Sequence, residues 1–133
     1  MSYIFLIILA GLLLVVGMQV LNYFKSKKIA GTPIPFEKID KSISEKIKNK
    51  ESILYSYSPT CKNCKIQTTI IENLKKELDS IISIDVSKDL TTARTFRIMG
   101  TPSLLYLGTK NIQGIYLGFK NENFIREKFK GLS

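Results

Sequence analysis

The chain contains neither histidine nor tryptophan, and only two of its 133 residues are cysteines. The absence of histidine excludes catalytic triads built on an imidazole base and zinc sites with histidine ligands. Two cysteines supply only half of a four-thiolate zinc site, so a metal could be held only if two copies of the chain shared it. We therefore predict no metal site within one chain.

Charged side chains are absent from residues 1–24, and residues 3–24 are almost wholly apolar. About 20 such residues cross a hydrocarbon core of ~30 Å as a helix. Tyr3, Tyr23 and Phe24 lie near the two ends, where aromatic side chains meet the interface. A cleaved signal peptide fits poorly, because a basic n-region and a cleavage site are missing and the apolar run is too long. We predict an uncleaved transmembrane anchor over 1–24, which contacts the lipid bilayer through 3–24.

Basic residues follow the apolar run and are missing before it. Lys25, Lys27 and Lys28 lie at its C-terminal side, so the positive-inside rule places the rest of the chain in the cytoplasm. A periplasmic or extracellular domain is the alternative. The net charge is +9, but the remaining lysines are interspersed with glutamates and form no basic stripe like that of a nucleic-acid-binding protein. We therefore predict no nucleic-acid partner.

The rest of the chain has room for one domain. Residues 25–35, with two prolines, are predicted to form a basic juxtamembrane linker, and 36–133 the domain. The apolar pattern predicts these elements: a helix over 35–50 with Phe36, Ile39, Ile43 and Ile47 inward, a strand over 52–58, a helix from about the cysteines with Ile66, Ile70, Leu74 and Leu78 inward, a strand over 80–86, a short helix over 88–96, strands over 101–108 and 111–118, and a helix over 121–129.

This alternation predicts an α/β fold. Helices between the early strands imply parallel pairing, with helices on both faces of a central sheet. The last two strands are too close for a crossover helix, so we expect them to pair antiparallel.

Both cysteines, Cys61 and Cys64, lie in the stretch SPTCKNCK. A disulfide across three positions closes too small a loop to stabilise the fold usefully. Cys61 instead falls at the predicted start of a helix, where unpaired backbone N–H groups, the helix dipole and Lys62 lower a thiol pKa below its usual ~8.5. Cys64 follows one turn later as a resolving thiol. Two buried, inert thiols are the alternative.

Further stretches carry a resemblance to a known family. These are YSPTCKNCK after a strand, ISIDVSKD as the next strand, and FRIMGTPSLLYLG about 40 residues after the cysteines. Residues from about 36 to 131 resemble the thioredoxin family, with Gly100, Thr101 and Pro102 at its Gly-x-Pro step. The resemblance implies a thioredoxin-like three-layer α/β/α sandwich with a mixed central sheet, here preceded by one transmembrane helix.

The resemblance also implies roles for individual residues. Cys61 is the expected nucleophile and Cys64 the resolving cysteine. Pro102 is expected to be cis and to lie beside the pair, while the Thr101 backbone pairs with an extended client. Thr60 replaces the family's tryptophan and joins this client surface. The resemblance implies no dissociable cofactor, and it implies two kinds of partner: disulfide-bonded protein clients and an upstream dithiol donor.

Three residues depart from the family pattern. Lys62 and Asn63 form an unusual dipeptide between the cysteines, and Tyr55 occupies the position of the family's buried acid. All three are expected to tune the pKa values of the pair. A tyrosine, with a pKa near 10, is a poor base at neutral pH.

The sequence therefore predicts a membrane-anchored thiol–disulfide oxidoreductase that exchanges disulfides with protein clients, as a reductase rather than an oxidase. The alternative is a thioredoxin-fold module with vestigial cysteines that binds a membrane or envelope partner. Tyr55 and the Lys-Asn dipeptide support that alternative.

Overall fold

The computed structural model describes residues 1–131, apart from the side chains of 25–28. In chain order its elements are α1 (Ser2–Ile29), α2 (Lys41–Ile47), β1 (Ser52–Tyr57), α3 (Lys62–Lys75), β2 (Ile81–Asp85), α4 (Leu90–Thr95), β3 (Ser103–Leu107), β4 (Ile112–Leu117) and α5 (Glu122–Lys130).

The four strands form one mixed sheet in the order β2-β1-β3-β4. β1 and β2 are parallel because α3 crosses over between them, whereas β1–β3 and β3–β4 are antiparallel. Alternate side chains of β1 enter different cores: Leu54 packs with α2, and Ile53 with α3 and α5. These two cores, one on each face of the sheet, make the three-layer α/β/α sandwich. The predicted fold class is confirmed.

The buried face of α3 differs from the predicted one. Its buried residues are Cys64, Gln67, Ile71 and Leu74, at spacings of three, four and three, whereas Ile66 is 60% exposed. A strict i+4 series drifts by about 40° per step on a helix of 3.6 residues per turn. The predicted face over Ile66, Ile70, Leu74 and Leu78 was therefore wrong at Ile66, whereas Ile70 and Leu78 are partly buried against the core and Leu74 is fully buried.

The helix predicted over 35–50 is shorter than expected. It begins after Asp40, whose carboxylate accepts a hydrogen bond from the N–H of Ser42 at 2.9 Å. An aspartate that caps a helix favours a start at that point. Phe36 and Ile39 precede the helix in turns but still pack into the core.

The segment 25–35 is not a simple linker. α1 continues to Ile29, and both Ile29 and Ile34 are buried in the core. The backbone of residues 31–34 pairs with residues 110–112, which lead into β4. The Gly31 N–H donates to the carbonyl oxygen of Ile112, and the Ile34 N–H donates to that of Lys110. The predicted domain boundary at residue 36 therefore leaves out two core residues. Hydrophobic side chains scattered between polar ones gave no periodic signal for this.

The first part of α1 has the properties of a membrane span. Ser2–Phe24 forms 23 residues of helix, and its most apolar 18-residue stretch has a mean hydropathy of 2.8. None of its most apolar stretch is buried against the domain. By length and composition this helix is sufficient to cross a bilayer.

Candidate functional site

The cysteine pair lies where β1 gives way to α3. β1 ends at Tyr57, a short turn follows, and Cys61 is the residue that caps α3. Its Sγ accepts a hydrogen bond from the backbone N–H of Cys64 at 3.2 Å. The first N–H groups of a helix lack partners within the helix, so the sulfur here takes the place of a capping oxygen.

A disulfide joins Cys61 and Cys64, whose Cα atoms are 5.3 Å apart. The two residues differ in their access to solvent. Cys61 is partly exposed, whereas Cys64 is 3% exposed and lies on the buried face of α3. An incoming sulfur can therefore reach Cys61 far more readily than Cys64.

The residues beside the pair face solvent. Thr60 is exposed, and its hydroxyl lies 3.1 Å from that of Ser58. Lys62 and Asn63 are exposed in the first turn of α3. Within residues 1–131, neither of these two side chains makes a hydrogen bond or an ion pair, so both can contact an incoming partner.

Tyr55 lies beneath the pair, fully buried in β1. Its hydroxyl donates to the carbonyl oxygen of Cys64 at 3.2 Å, which leaves the Thr68 hydroxyl, at 2.8 Å, as the donor of the second bond. Burial raises the pKa of Tyr55 above its ordinary value of 10.0, an effect that the hydrogen bond with Thr68 partly opposes. Tyr55 is therefore a neutral hydrogen-bonding group here.

Pro102 lies at the same end of the sheet as the cysteines. Ser103, the next residue, pairs with Ser56 near the end of β1, and the turn that leads to Cys61 follows β1 directly. The Thr101–Pro102 peptide bond is cis. The carbonyl oxygen of Pro102 accepts a hydrogen bond from the Gly118 N–H at 2.8 Å. Thr101 is partly exposed, and within the described residues its backbone N–H and C=O make no hydrogen bond.

A buried side chain ties α3 to the loop after β4. The amide of Gln67 donates to the carbonyl oxygen of Lys120 at 3.1 Å and accepts from the Lys120 N–H at 2.7 Å. Sequence reasoning missed both Gln67 and Thr68. A signal for Gln67 was present, because it is three residues after Cys64 and therefore on the same face of the helix.

A family model, Thioredoxin, matches residues 35–130. The chain belongs to the thioredoxin family. A thioredoxin of Bacillus subtilis (strain 168) is 28% identical over 91 residues, which cover 66% of this chain and 88% of that protein.

Solved thioredoxins share the fold. The thioredoxin of Fasciola hepatica has a TM-score of 0.61 at 17% identity and covers 70% of this chain and 90% of its own. A mutant thioredoxin from Halobacterium salinarum NRC-1 has a TM-score of 0.59 at 19% identity, with coverages of 63% and 75%. The family-model match confirms the family predicted from the sequence, and the solved structures confirm its fold. A thioredoxin fold with a disulfide-bonded Cys61–Cys64 pair supports a general thiol–disulfide oxidoreductase activity.

Proposed function

We propose that the protein is a membrane-anchored reductase of protein disulfides, with Cys61 as the nucleophile and Cys64 as the resolving thiol. The observation that carries the proposal is the position of Cys61. Its partly exposed Sγ caps α3 and accepts the Cys64 N–H. In the reduced protein, this N–H group and the positive end of the helix dipole favour the thiolate, which is the attacking species.

The reaction then proceeds in two exchanges. The Cys61 thiolate attacks one sulfur of a client disulfide, a mixed disulfide forms and the other client sulfur leaves as a thiolate. Cys64 next attacks Cys61, which closes the Cys61–Cys64 bond and releases the client as a dithiol. Two electrons pass to the client, and an upstream dithiol protein restores the pair.

The client surface in this proposal surrounds Cys61. The unpaired backbone groups of Thr101 can hydrogen-bond an extended client segment, as an added strand does at a sheet edge. In this proposal Thr60, which is exposed, and Pro102, which is buried, complete the client groove beside the sulfur. Met99 and Leu117 add apolar surface nearby, because they are 70% and 58% exposed.

In this proposal the pKa values of the two cysteines are set without a buried acid at the position of Tyr55. Lys62 contributes a positive charge in the first turn of α3, and Asn63 a neutral polar side chain. Tyr55 holds the backbone of Cys64 through its hydroxyl but remains neutral, so it cannot accept the Cys64 proton at physiological pH. We propose that this proton passes to solvent or to the leaving client thiolate.

The proposed anchor is Ser2–Phe24, with the domain in the cytoplasm because the lysines follow the span. A reducing compartment suits the reductase direction. A reporter fused after Ser133 tests the side of the membrane. A signal from outside the cytoplasm would contradict this placement.

The reductase activity is tested on the full chain in detergent, with dithiothreitol as donor and insulin as client. The unchanged protein is expected to reduce insulin, and Cys61→Ser to abolish the activity. Cys64→Ser is expected to accumulate a mixed disulfide. Unreactive cysteines, with no exchange in either protein, would favour the non-catalytic binding module instead.

The reduction potential of the pair tests the direction. A value of about −270 mV is that of a reductant, and one of about −120 mV is that of an oxidant. We expect the former. Equilibration of the full chain against glutathione buffers, followed by alkylation and mass measurement, gives the value.

A further inference from the structure

α1 carries the domain without a flexible joint. The helix is continuous over Ser2–Ile29, and its apolar span ends at Phe24. Ile29 is 7% exposed and belongs to the same core as Ile112. Four residues of helix, 25–28, therefore lie between the end of the span and the first core residue, a rise of about 7 Å from Phe24 to Ile29.

α1 also runs along β4 in a defined direction. Just after the helix, the N–H of Gly31 donates to the carbonyl oxygen of Ile112, at the first residue of β4. Asn22 and Tyr23 line a cavity of about 720 Å³ together with Ile29 and with Leu117, which lies at the other end of the strand. The end of the span and the last residue of β4 therefore border the same cavity.

That end of the sheet is the end that bears the redox pair. Leu117 pairs with Ser103, and Ser103 pairs with Ser56. The chain continues from Ser56 through a short turn to Cys61. The end of the membrane span and the redox pair therefore lie at the same end of the sheet.

The surface at this end has the composition of a membrane interface. Met99 and Leu117 expose apolar side chains there, and the cationic residues Arg97 and Lys120 line the same cavity. Among the described residues that line it, none is acidic. Cations beside apolar side chains suit an anionic leaflet, which attracts them electrostatically.

We propose that the clients are disulfides of membrane proteins, in chain segments that lie directly outside the bilayer. The inference rests on the proposed reductase function and adds the class of substrate. Cys61 is held close to the lipid surface on a rigid helix, so a disulfide near that surface meets it and a distant one does not. The exchange chemistry is the two-step transfer described above, with the same upstream dithiol donor.

The test uses the full reduced chain in liposomes with two single-pass probe peptides. One carries a disulfide-bonded loop about 3 residues outside its apolar span, and the other carries the same loop about 25 residues outside, on a Gly/Ser segment. We expect the near loop to be reduced at least tenfold faster. Equal rates, or a faster distant loop, would overturn the inference.

A soluble disulfide peptide separates the two proposals. Its reduction alongside equal rates for the two probes leaves the reductase function standing and overturns the client class. Failure to reduce any of the three substrates overturns the reductase function and the inference with it.

Two insertions after Phe24 serve as matched variants. Seven residues of helix, two turns, lift the domain by about 10 Å without turning it far. The best loop position is then expected to move outward by about three residues of extended chain. Twenty Gly/Ser residues are expected to bring the near-to-distant ratio close to 1. Both insertions should leave reduction of the soluble peptide unchanged, and an unaltered ratio in both would contradict the proposal.

Discussion

The hydroxyl of Tyr55 donates a hydrogen bond to the carbonyl oxygen of Cys64, 3.2 Å away. A neutral side chain thus supports the resolving cysteine through its backbone. It does so from a strand that is paired on both sides, β1. The first turn of α3 is therefore fixed to the centre of the sheet without any buried charge at this position.

Tyr55→Phe tests this support. The change removes the bond to Cys64 and leaves the Thr68 hydroxyl without its tyrosine partner, so we expect a loss of about 1–2 kcal/mol in the free energy of unfolding. Urea denaturation gives the value. Tyr57→Phe is the control, because Tyr57 is only half-buried and stacks on Tyr55 through its ring. Equal losses in the two variants would contradict the role of the hydroxyl.

Stability is expected to fall in strong alkali. Burial raises the pKa of both Tyr55 and Tyr106, so the folded chain keeps protons that the unfolded chain releases above pH about 10. Their contribution is complete below that pH and is lost as the pH rises through the folded pKa values. The slope is at most about 1.4 kcal/mol per pH unit for each group. Urea denaturation from pH 9 upward should show a shallower decline for Tyr106→Phe, and an identical decline would refute the assignment.

The bond pair between Gln67 and Lys120 is expected to hold the loop after β4. Gln67→Leu removes both bonds and leaves the Lys120 N–H unpaired, at a cost of about 2–3 kcal/mol. Urea denaturation measures the loss of stability. Hydrogen exchange of the Lys120 amide should speed up by more than this global loss alone would cause. Gln113→Leu makes the same substitution at an exposed site of β4 and should change stability by less than about 0.5 kcal/mol. An unchanged Lys120 exchange rate would show that the loop is held by other contacts.

Two isoleucines of α3 report which face is buried. Ile71→Ala opens a cavity beside Leu74 and is expected to cost about 2–5 kcal/mol. Ile66→Ala, on the exposed face, is expected to cost less than about 0.5 kcal/mol. Thermal or urea unfolding of the two variants shows which of these two side chains is buried. The reverse order would restore the face predicted from the sequence.

Gly118 is required by its backbone conformation. Its φ of 92° lies where a side chain costs about 1–2 kcal/mol, although a Cβ there would meet no atom within 4 Å. Gly118→Ala should therefore destabilise the fold through the backbone alone. Gly131→Ala is the control, since Gly131 has a φ of −70°. Equal stabilities for the two variants, measured by urea denaturation, would contradict the argument.

The sequence predicted the order of elements well, because each strand is a short run rich in isoleucine, leucine or tyrosine. It failed where burial depends on partners distant in the chain. Ile29 and Ile34 belong to no periodic apolar run, and they are buried in a core whose other members, such as Ile112 of β4, come from distant parts of the chain. Ile66 fitted an apolar i+4 series, but the face of α3 that is buried contains Cys64 and Ile71 instead.

The candidate site shows the same division. The cysteines could be found because a short motif after a strand carries its own chemistry, and Pro102 because the stretch around it resembles the thioredoxin family. The spacing from Cys64 indicates that Gln67 is buried, but the hydrogen bonds of Gln67 and Thr68 could not be found from the sequence, because their partners, the Lys120 backbone and the Tyr55 hydroxyl, come from other elements.

The pairing of Gly31 and Ile34 with residues 110–112 has a practical consequence for anyone who prepares the domain without its membrane helix. β4 is the edge strand of the sheet, and this segment covers part of its outer side. A fragment that starts at residue 36 would expose that edge and the apolar surface left by Ile29 and Ile34. Uncovered edges pair with one another and aggregate. Soluble fragments should therefore begin at or before Ile29.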